Sequence, residues 1–454
     1  MPLALTDNLH REPASFARAS SSTDPFTPSG GHATAAALQL TRMCYDHWVN
    51  LGQAPAKPDP QARNTLMIPR FSMEGIRRTV FGQGSAASLG EEVRLVEAKR
   101  ALVVMDPQVL AAGVAQPALD SLKKAGVAYH IYDKLTREPE PAEADAAALA
   151  GKEFKAQAVV GIGGGSALDL AKAAGVLMTN PGQATDFVGL ELVKTPGKPV
   201  ICLPTTAGTG SEVTFTAVFT RRSDKFKGGI NGRLLYPHTA ILDPVLTVSC
   251  PAYITAIVGM DALTHAMEAF TSRAATPMSD LNALKAIELI GENLRPAVAH
   301  GENLAAREGM LLGSYLAGLA LAQAGVGAVH AMAYPLGAFY DIPHGEANAT
   351  LLPYVLRFNL MACPERFATM AYALAELPED LSTREAAEAC VQEVFELSYD
   401  IGIPPNLAAL EVPEAEVPEM AQKAMTVARP IANNPRKVTA QDLEGIYHTA
   451  FEGD

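Results

Sequence analysis

The sequence has few cysteines, fewer basic than acidic residues, and no long apolar run. Its five cysteines stand far apart with no Cys-x-x-Cys pair, which excludes a short-spaced disulfide framework and is typical of reduced cytoplasmic thiols. Lys and Arg number 36 against 49 Asp and Glu, a formal net charge of −13, which disfavours nucleic acid and anionic membranes as partners. No uncharged apolar run of about 18 residues occurs, and the N-terminus lacks the basic-then-apolar order of a secretory signal, so we expect a soluble cytoplasmic protein.

The length and composition predict a globular enzyme with more than one domain. A chain of 454 residues is too long for one ordinary core. Changes in composition along the chain divide it into three parts: a flexible N-terminal arm plus one helix in residues 1–65, an α/β domain in residues 66–250, and an all-helical domain in residues 251–454.

The N-terminal arm is rich in Ser, Pro, Thr and Gly over residues 1–32, a composition that does not readily fold alone. Residues 33–52 predict one amphipathic helix that ends at a glycine, and a Pro-rich connector follows it. We expect this helix to dock on another surface, such as a partner subunit.

Short β-rich runs alternate with helical runs between Phe71 and about Pro251. The runs RALVVMD, VAYHIYD, AQAVVGIGGG and KPVICLPTT are each separated from the next by a helical stretch. This alternation predicts parallel βαβ units. Beyond Pro251, long Ala/Leu/Glu/Met-rich stretches with helical spacing predict an all-helical region.

The stretch VVGIGGGSALDLAK predicts a buried strand, a glycine turn and the start of a helix. Bare backbone amides at such a turn can bind phosphate oxygens. The alternative is a tight strand-to-helix connection without a ligand, in which the aspartate caps the helix or holds the loop. The residues concerned are Gly163, Gly164, Gly165, Ser166 and Asp169.

A second loop, PTTAGTGSEVT, follows the predicted strand KPVICL. Ligands of open α/β sheets bind where loops leave the carboxyl ends of parallel strands. The hydroxyl groups of this loop belong to Thr205, Thr206, Thr209 and Ser211.

Asp106 follows the strand RALVVM. A carboxylate at this position can accept hydrogen bonds from the adenosine ribose and repel a 2′-phosphate, which favours NAD over NADP. The alternative is a turn or helix-cap residue before Pro107.

The segment GMDALTHAMEAF places Asp261 and His265 four residues apart, on one face of a predicted helix. Downstream, His330 is predicted to end an apolar helical stretch, and His344 follows a segment broken by Pro and Gly. Three imidazoles and one carboxylate suit a divalent transition metal. The alternative is a buried Asp–His ion pair with two turn histidines.

Four motifs, GIGGGSALDLAK, PTTAGTGSEVT, GMDALTHAMEAF and HAMAYPLGAFYDIPHG, occur in this order, and with them the chain resembles the iron-containing (group III) alcohol dehydrogenases from about residue 71 to 450. The resemblance implies an N-terminal Rossmann-like dinucleotide-binding domain with a parallel sheet and a C-terminal all-helical, metal-binding domain of the dehydroquinate synthase-like type. It also implies that the aspartate and three histidines named above hold Fe(II), or alternatively Zn(II) or another divalent ion, and that both loops contact NAD.

Two further positions follow from the resemblance. A nucleotide-contacting lysine of the family corresponds to Lys227, with a surface lysine as the alternative. Many members carry a histidine four residues after the third metal ligand and near the nicotinamide, whereas Tyr334 stands here. In those members the histidine is thought to help relay protons, so Tyr334 either offers its phenol to the same relay as a catalytic residue or shapes the substrate pocket. Pocket shaping is favoured, because an unperturbed phenol with a pKa of about 10 is a poor base near neutrality.

The implied activity is hydride transfer between a small alcohol or hydroxy acid and nicotinamide, with the metal polarising the substrate oxygen. Within the superfamily, the alternatives are a maleylacetate reductase, which is metal-free, and a polyol dehydrogenase. A different alternative is an enzyme with a mainly scaffolding or encapsulated role through its N-terminal arm. Relatives are commonly dimers or larger, so a homo-oligomer is expected.

Overall fold

The structure is a computed structural model that describes residues 70–222 and 226–453. The arm and helix expected within residues 1–65 lie outside the described residues. Residues Ile68–Asp454 form one compact unit.

A six-stranded parallel sheet forms the centre of the N-terminal half. Its strands, in chain order, are β1 (Arg78–Phe81), β2 (Arg100–Met105), β3 (Ala128–Tyr132), β4 (Ala158–Gly163), β6 (Val200–Pro204) and β9 (Thr239–Leu242). Across the sheet the order is β1-β9-β6-β4-β2-β3, and every pairing is parallel. The predicted parallel α/β fold is therefore confirmed.

A second, smaller sheet has three strands. Strands β7 (Thr216–Arg221) and β8 (Phe226–Asn231) pair in antiparallel fashion, and the short β5 (Gly189–Leu190) pairs with β8 in parallel. The alternation of βαβ runs gave no indication of this hairpin.

The central strands are apolar along their whole length because helices cover both faces of the sheet. In β2, Leu102 and Val104 belong to the core on one face, whereas Ala101, Val103 and Met105 belong to the core on the other. The helices of this half are α1 (Leu89–Leu95), α2 (Pro107–Ala112), α3 (Gln116–Lys124), α4 (Pro141–Glu153) and α5 (Gly165–Leu177).

Residues beyond Pro251 are helical, as predicted. The helices are α6 (Ala252–Thr271), α7 (Pro277–Ala299), α8 (Leu304–Ala324), α9 (Ala328–Tyr340), α10 (His344–Asn359), α11 (Pro364–Leu374), α12 (Thr383–Asp400), α13 (Val417–Met425), α14 (Ala428–Asn433) and α15 (Ala440–Glu452). They share one large apolar core. Among the described residues no single helix is both long and apolar enough to cross a membrane, and only α8 with α9, as a pair bent by 104°, passes a test of length and composition.

The prediction that His330 ends a helix is wrong. Helix α8 ends at Ala324, and Gly325 follows with a φ of 72° that an L side chain rarely adopts. The chain turns there, and α9 begins at Ala328, so His330 lies in the first turn of a new helix. Pro335 lies inside α9 without ending it.

Candidate metal and dinucleotide site

Helix α6 supplies two of the predicted metal ligands from one buried face. Asp261 and His265 are 2% and 5% exposed, and Nε2 of His265 lies 3.8 Å from Oδ1 of Asp261. Residues four apart lie one above the other on a helix. The spacing therefore places an oxygen and a nitrogen donor side by side, as predicted.

The first turn of α9 brings a third donor to this pair. Nε2 of His330 lies 3.7 Å from Oδ1 of Asp261, and its ring stacks on that of His265 with centroids 4.7 Å apart. The donor atoms of these three residues all lie within 4.8 Å of one another. Bonds of 2.0–2.2 Å to a tetrahedral cation place neighbouring donors about 3.3–3.6 Å apart, so the observed spacing suits one ion.

His344 opens α10, and Asn348, one helical turn later, connects it to the other donors. The amide Nδ2 of Asn348 lies 2.7 Å from Oδ1 of Asp261, 3.2 Å from Nε2 of His330 and 3.3 Å from Nε2 of His344. One amide nitrogen thus contacts three of the four predicted ligands. The lone pairs of these ligands converge on a small volume.

The electrostatics favour neutral His265 and His344 beside an ionised Asp261. Burial lowers the pKa of His265 and lowers the pKa of His344 well below the usual value. Burial alone would raise the pKa of Asp261, but the three imidazoles and the Asn348 hydrogen bond outweigh it, and the pKa is lowered. Neutral imidazole and carboxylate are the forms that bind metals.

These residues fit a divalent cation in chemistry as well as in spacing. One buried polar atom beside the donors, Oδ1 of Asn348, has no hydrogen-bond partner among the described residues. A buried carboxylate surrounded by nitrogen donors is costly unless an opposite charge compensates it. A cation would supply that charge.

The turn between β4 and α5 leaves little room for side chains. At Gly163, where φ is 154°, a Cβ would come within 2.7 Å of Cβ of Ala167 and 3.2 Å of Cβ of Asp106. At Gly165 it would come within 2.7 Å of Cγ2 of Thr209. The glycine turn therefore packs directly against the Thr-rich loop, and both loops meet at the carboxyl ends of their strands.

Several predicted cofactor residues bind other parts of the protein. Oγ of Ser166 donates to the carbonyl of Arg137 at 2.6 Å. Asp169 accepts from the hydroxyl of Ser211 at 2.5 Å and lies 3.0 Å from the ammonium of Lys172, which is fully buried. Asp169 and Ser211 therefore tie the two loops together.

Asp106 caps α2 because its Oδ1 accepts a hydrogen bond of 2.7 Å from the backbone N–H of Gln108. Asp106 is thus a helix-cap residue, which was the alternative to its role in binding ribose. Asp106 also lines the cleft described below, so a carboxylate still faces the space open to a ligand.

Lys227 lies on β8 and is 6% exposed, with its ammonium 2.8 Å from Oε2 of Glu138. Glu138 also accepts from the hydroxyl of Thr220 at 3.0 Å. The surface-lysine alternative is wrong, because the side chain is buried. Lys227 is close enough to His344 to contribute to lowering its pKa.

One cleft of about 1510 Å³ joins the two loops to the histidine cluster. Ligand pockets usually have volumes of about 300–1,000 Å³, so this one has room for a dinucleotide and a second molecule. Every predicted site residue except Gly163 lines it: Asp106, Gly164, Gly165, Ser166, Asp169, Thr205, Thr206, Thr209, Ser211, Lys227, Asp261, His265, His330, Tyr334 and His344.

Tyr334 lies one helical turn after His330, and its ring centroid is 5.7 Å from that of His344. Burial raises the pKa of its phenol to about 12. A phenol with this pKa neither gains nor loses a proton near neutrality. The position supports the prediction that Tyr334 shapes the pocket.

Two site residues were not predicted from the sequence. Glu268 bonds to the ring of His330, and Asn348 bonds to three predicted ligands. Their helical spacing from His265 and His344 was a usable signal, because i,i+3 and i,i+4 partners share a helix face.

Comparison with known proteins gives matches along most of the chain. Residues 77–244 match the family model described as iron-containing alcohol dehydrogenase, and residues 255–451 match the model for the C-terminal part of the Fe-containing alcohol dehydrogenase family. A 1,3-propanediol dehydrogenase from Klebsiella pneumoniae is 42% identical over 373 residues, which cover 82% of this chain and 96% of the relative.

Solved structures agree with these matches. A crystal structure of a 1,3-propanediol oxidoreductase is 40% identical, with a TM-score of 0.82, and the match covers 84% of this chain and 100% of that one. A sulfoacetaldehyde reductase from Bifidobacterium kashiwanohense, solved in complex with NAD+, is 30% identical with a TM-score of 0.77, over 85% of this chain and 100% of that one.

Proposed function

The chain belongs to the iron-containing alcohol dehydrogenase family, and from this premise we propose that it transfers hydride between a small alcohol and NAD, with a divalent cation held by its aspartate and three histidines. It is an enzyme that interconverts alcohols and aldehydes. The observation that carries the proposal is the convergence of Asp261, His265 and His330 within 4.8 Å on the wall of the dinucleotide cleft.

A cation in this site supplies Lewis acidity to a substrate hydroxyl or carbonyl oxygen. The chain supplies the setting for that chemistry. Burial keeps His265 and His344 neutral, so their nitrogens are available as donors, and Asp261 contributes the negative charge. The cleft holds alcohol carbon and nicotinamide together and limits access of water, which lowers the barrier mainly through positioning.

The dinucleotide is proposed to bind along the carboxyl edge of the sheet. Backbone amides of the glycine turn at the start of α5 would bind the phosphates, and the Thr-rich loop packed against this turn would provide hydroxyl groups. Lys227 would approach the nicotinamide end, since it contributes to lowering the pKa of His344. Residues 66–250 and 251–454 would then be the dinucleotide and metal domains.

The preference for NAD over NADP is proposed from Asp106, whose carboxylate lines the cleft. An Asp106→Asn variant removes the charge that would repel a 2′-phosphate but keeps an oxygen that can cap α2. We expect the ratio of kcat/KM for NAD to that for NADP to fall about tenfold, as one repulsive charge contact is worth on the order of 1 kcal/mol. An unchanged ratio would assign Asp106 to helix capping alone.

Iron is proposed as the working ion, with zinc as the alternative. Metal-free protein reconstituted with Fe(II) or Zn(II) should recover NADH-linked turnover with one of them, and metal analysis should find about one ion per chain. The test of the whole proposal is His265→Ala, for which we expect loss of the bound metal and a fall in kcat of more than about 100-fold.

The matched control is His448→Ala, which removes an exposed histidine bonded to Glu414 at 3.0 Å. It should keep both metal and turnover. If His265→Ala also keeps both, the proposed cation site is wrong.

A cytoplasmic homo-oligomer completes the proposal. The four cysteines in the described part of the chain are free thiols, which suits a reducing compartment. Light scattering of the purified protein would give the number of subunits, and cell fractionation would give the location.

A further inference from the structure

Glu268 makes two buried hydrogen bonds that connect α6 to α9. Its side chain is 5% exposed; Oε2 lies 2.7 Å from Nδ1 of His330, and Oε1 accepts from the backbone N–H of Val329 at 2.7 Å. A Cβ on Gly327 would come within 3.0 Å of Oε1. The start of α9 is therefore packed directly onto this carboxylate.

The contact with Val329 caps α9. Gly327 is the N-cap of this helix and has no side chain with which to satisfy the first N–H groups. Glu268 reaches across from α6 and accepts from one of them, and its negative charge lies at the positive end of the helix dipole. Glu268 thus caps the start of α9 together with Asn434, whose Oδ1 accepts from the backbone N–H of Ala328 at 3.3 Å.

The contact with His330 fixes the tautomer and the orientation of its imidazole ring. A carboxylate only accepts hydrogen bonds, so Nδ1 of His330 is the donor and carries the hydrogen. The other nitrogen, Nε2, then carries the free lone pair, and it is Nε2 that lies 3.7 Å from Oδ1 of Asp261. Histidine ligands of metals commonly have their other nitrogen held by a carboxylate in this way.

We propose that Glu268 is the positioning residue of the cation site: it holds His330 in the Nδ1–H tautomer with Nε2 facing the other donors, and it couples this orientation to the start of α9. Glu268 does not contact the cation. This inference rests on the proposed function, because it assumes that His330 binds a metal.

The test is Glu268→Gln. A glutamine amide has one acceptor oxygen, whereas both N–H groups that face Glu268 need an acceptor. If the amide oxygen caps Val329, the NH2 group faces Nδ1 and moves the imidazole hydrogen to Nε2. If the amide oxygen instead accepts from Nδ1 of His330, the amide NH2 faces the N–H of Val329, and this N–H loses its acceptor. We expect the affinity for Zn(II), measured by competition with a chromophoric chelator, to fall about 10- to 100-fold.

The matched control is Glu92→Gln, which removes another buried carboxylate, bonded to Arg78 at 2.9 Å in the N-terminal half. It should bind Zn(II) as the wild type does. If Glu268→Gln binds Zn(II) as tightly as the wild type, the positioning role is wrong. If the wild type itself binds no metal, the proposed function fails instead, so the two failures are distinguishable.

A second measurement is made on the wild type and does not require the Glu268→Gln variant to fold. In the metal-free wild type with ¹⁵N-labelled histidine, the His330 ring should give the shifts of a protonated Nδ1 and a bare Nε2, with the signal assigned by its loss in His330→Gln. A hydrogen on Nε2 would overturn the inference. A merely structural role for Glu268 would leave the metal affinity per folded molecule unchanged.

Discussion

At the scale of single residues, the site concentrates groups that are costly to bury. Asp261, His265 and His330 are each at most 5% exposed, and the two neighbours that organise them, Glu268 and Asn348, are buried as well. Each of these groups except Asn348 could carry a charge. Hydrogen bonds satisfy part of the cluster, but Oδ1 of Asn348 has no hydrogen-bond partner among the described residues. Such a cluster is justified by a ligand rather than by stability.

The pKa of Tyr334 leads to a prediction about proton transfer. Because burial raises the pKa of the phenol to about 12, Tyr334→Phe should leave kcat within about threefold of the wild type and should not shift the pH profile of kcat. A general acid or base contributes about 10²–10⁴-fold, so a loss of that size would show that Tyr334 transfers protons. The measurement is the initial rate of NADH formation across pH.

Sequence reasoning found the four proposed ligands, two by helical spacing and two by residue type and resemblance, but it missed Glu268 and Asn348, which contact them. Asp261 and His265 share a helix face by spacing alone. Glu268 lies on the same helix, but its role depends on α9 packing against it after the turn at Gly325. Asn348 likewise gains its role only because α10 brings its amide to the ligands of two other helices. Helical spacing places Glu268 and Asn348 on the same helix faces as the proposed ligands. The partners that they contact on other helices depend on tertiary packing, which the spacing does not predict.

At the scale of elements, the two ligand loops act as one unit because glycines let them touch. Gly165 at the start of α5 is within van der Waals range of the Thr209 side chain, and Asp169 bonds to Ser211 across the same gap. The sequence predicted both loops from their strands and turns. It did not predict β1, β5, β7, β8 or β9, since short strands are defined by non-local pairing.

Gly165→Ala tests the loop contact. The new Cβ would lie 2.7 Å from Cγ2 of Thr209, so one loop must move away from the other. We expect KM for NAD to rise about tenfold or more, while metal content stays the same. The control is Gly445→Ala in α15, where a Cβ would have open space within 4 Å; it should not change KM. Equal KM values for both variants would contradict the proposed dinucleotide site.

Glu212, in the 3-10 turn of residues Ser211–Val213, leads to a prediction about pH. Burial raises the pKa of Glu212 from 4.5 to about 7, and Oε1 has no hydrogen-bond partner among the described residues. As pH rises from about 4.5, the unfolded chain releases this proton, whereas the folded protein keeps it until about pH 7. The folded state therefore loses up to about 3 kcal/mol of stability across this window, and no more above it.

Glu212→Gln does not titrate, so its free energy of unfolding should lack this decline. We expect urea unfolding between about pH 5 and pH 8 to show that the free energy of unfolding of the variant rises relative to that of the wild type up to about pH 7. Above about pH 7 the difference between the two free energies should stay constant. Glu379→Gln, which changes an exposed glutamate, should follow the wild type. Parallel curves for wild type and Glu212→Gln would contradict the raised pKa.

At the scale of the whole molecule, the α/β part and the helical part line the same cleft and belong to one compact unit, Ile68–Asp454. We therefore expect one cooperative unfolding transition in calorimetry rather than two. NAD and Zn(II) should each raise its Tm, since a ligand at about 100 times its Kd adds about 3 kcal/mol. Two transitions, each moved by only one ligand, would show that the parts unfold independently.

The division into a parallel α/β part followed by a helical part was the portion of the fold most readily predicted, because it follows from hydrophobic period and turn residues within short windows. The cleft was harder to predict, since its shape arises from long-range packing. Its position could still be anticipated, because ligands bind at the carboxyl edge of a parallel sheet.

The order of the four proposed cation-binding side chains along the polypeptide has a consequence for biosynthesis. Asp261 and His265 leave the ribosome well before His330, and His344 follows last of the four. A nascent chain halted ahead of His344 already contains both nucleotide loops yet only part of the cation-binding set. If the proposed cation site is correct, the complete set of side chains can therefore hold the ion only after the helices that carry them have come together.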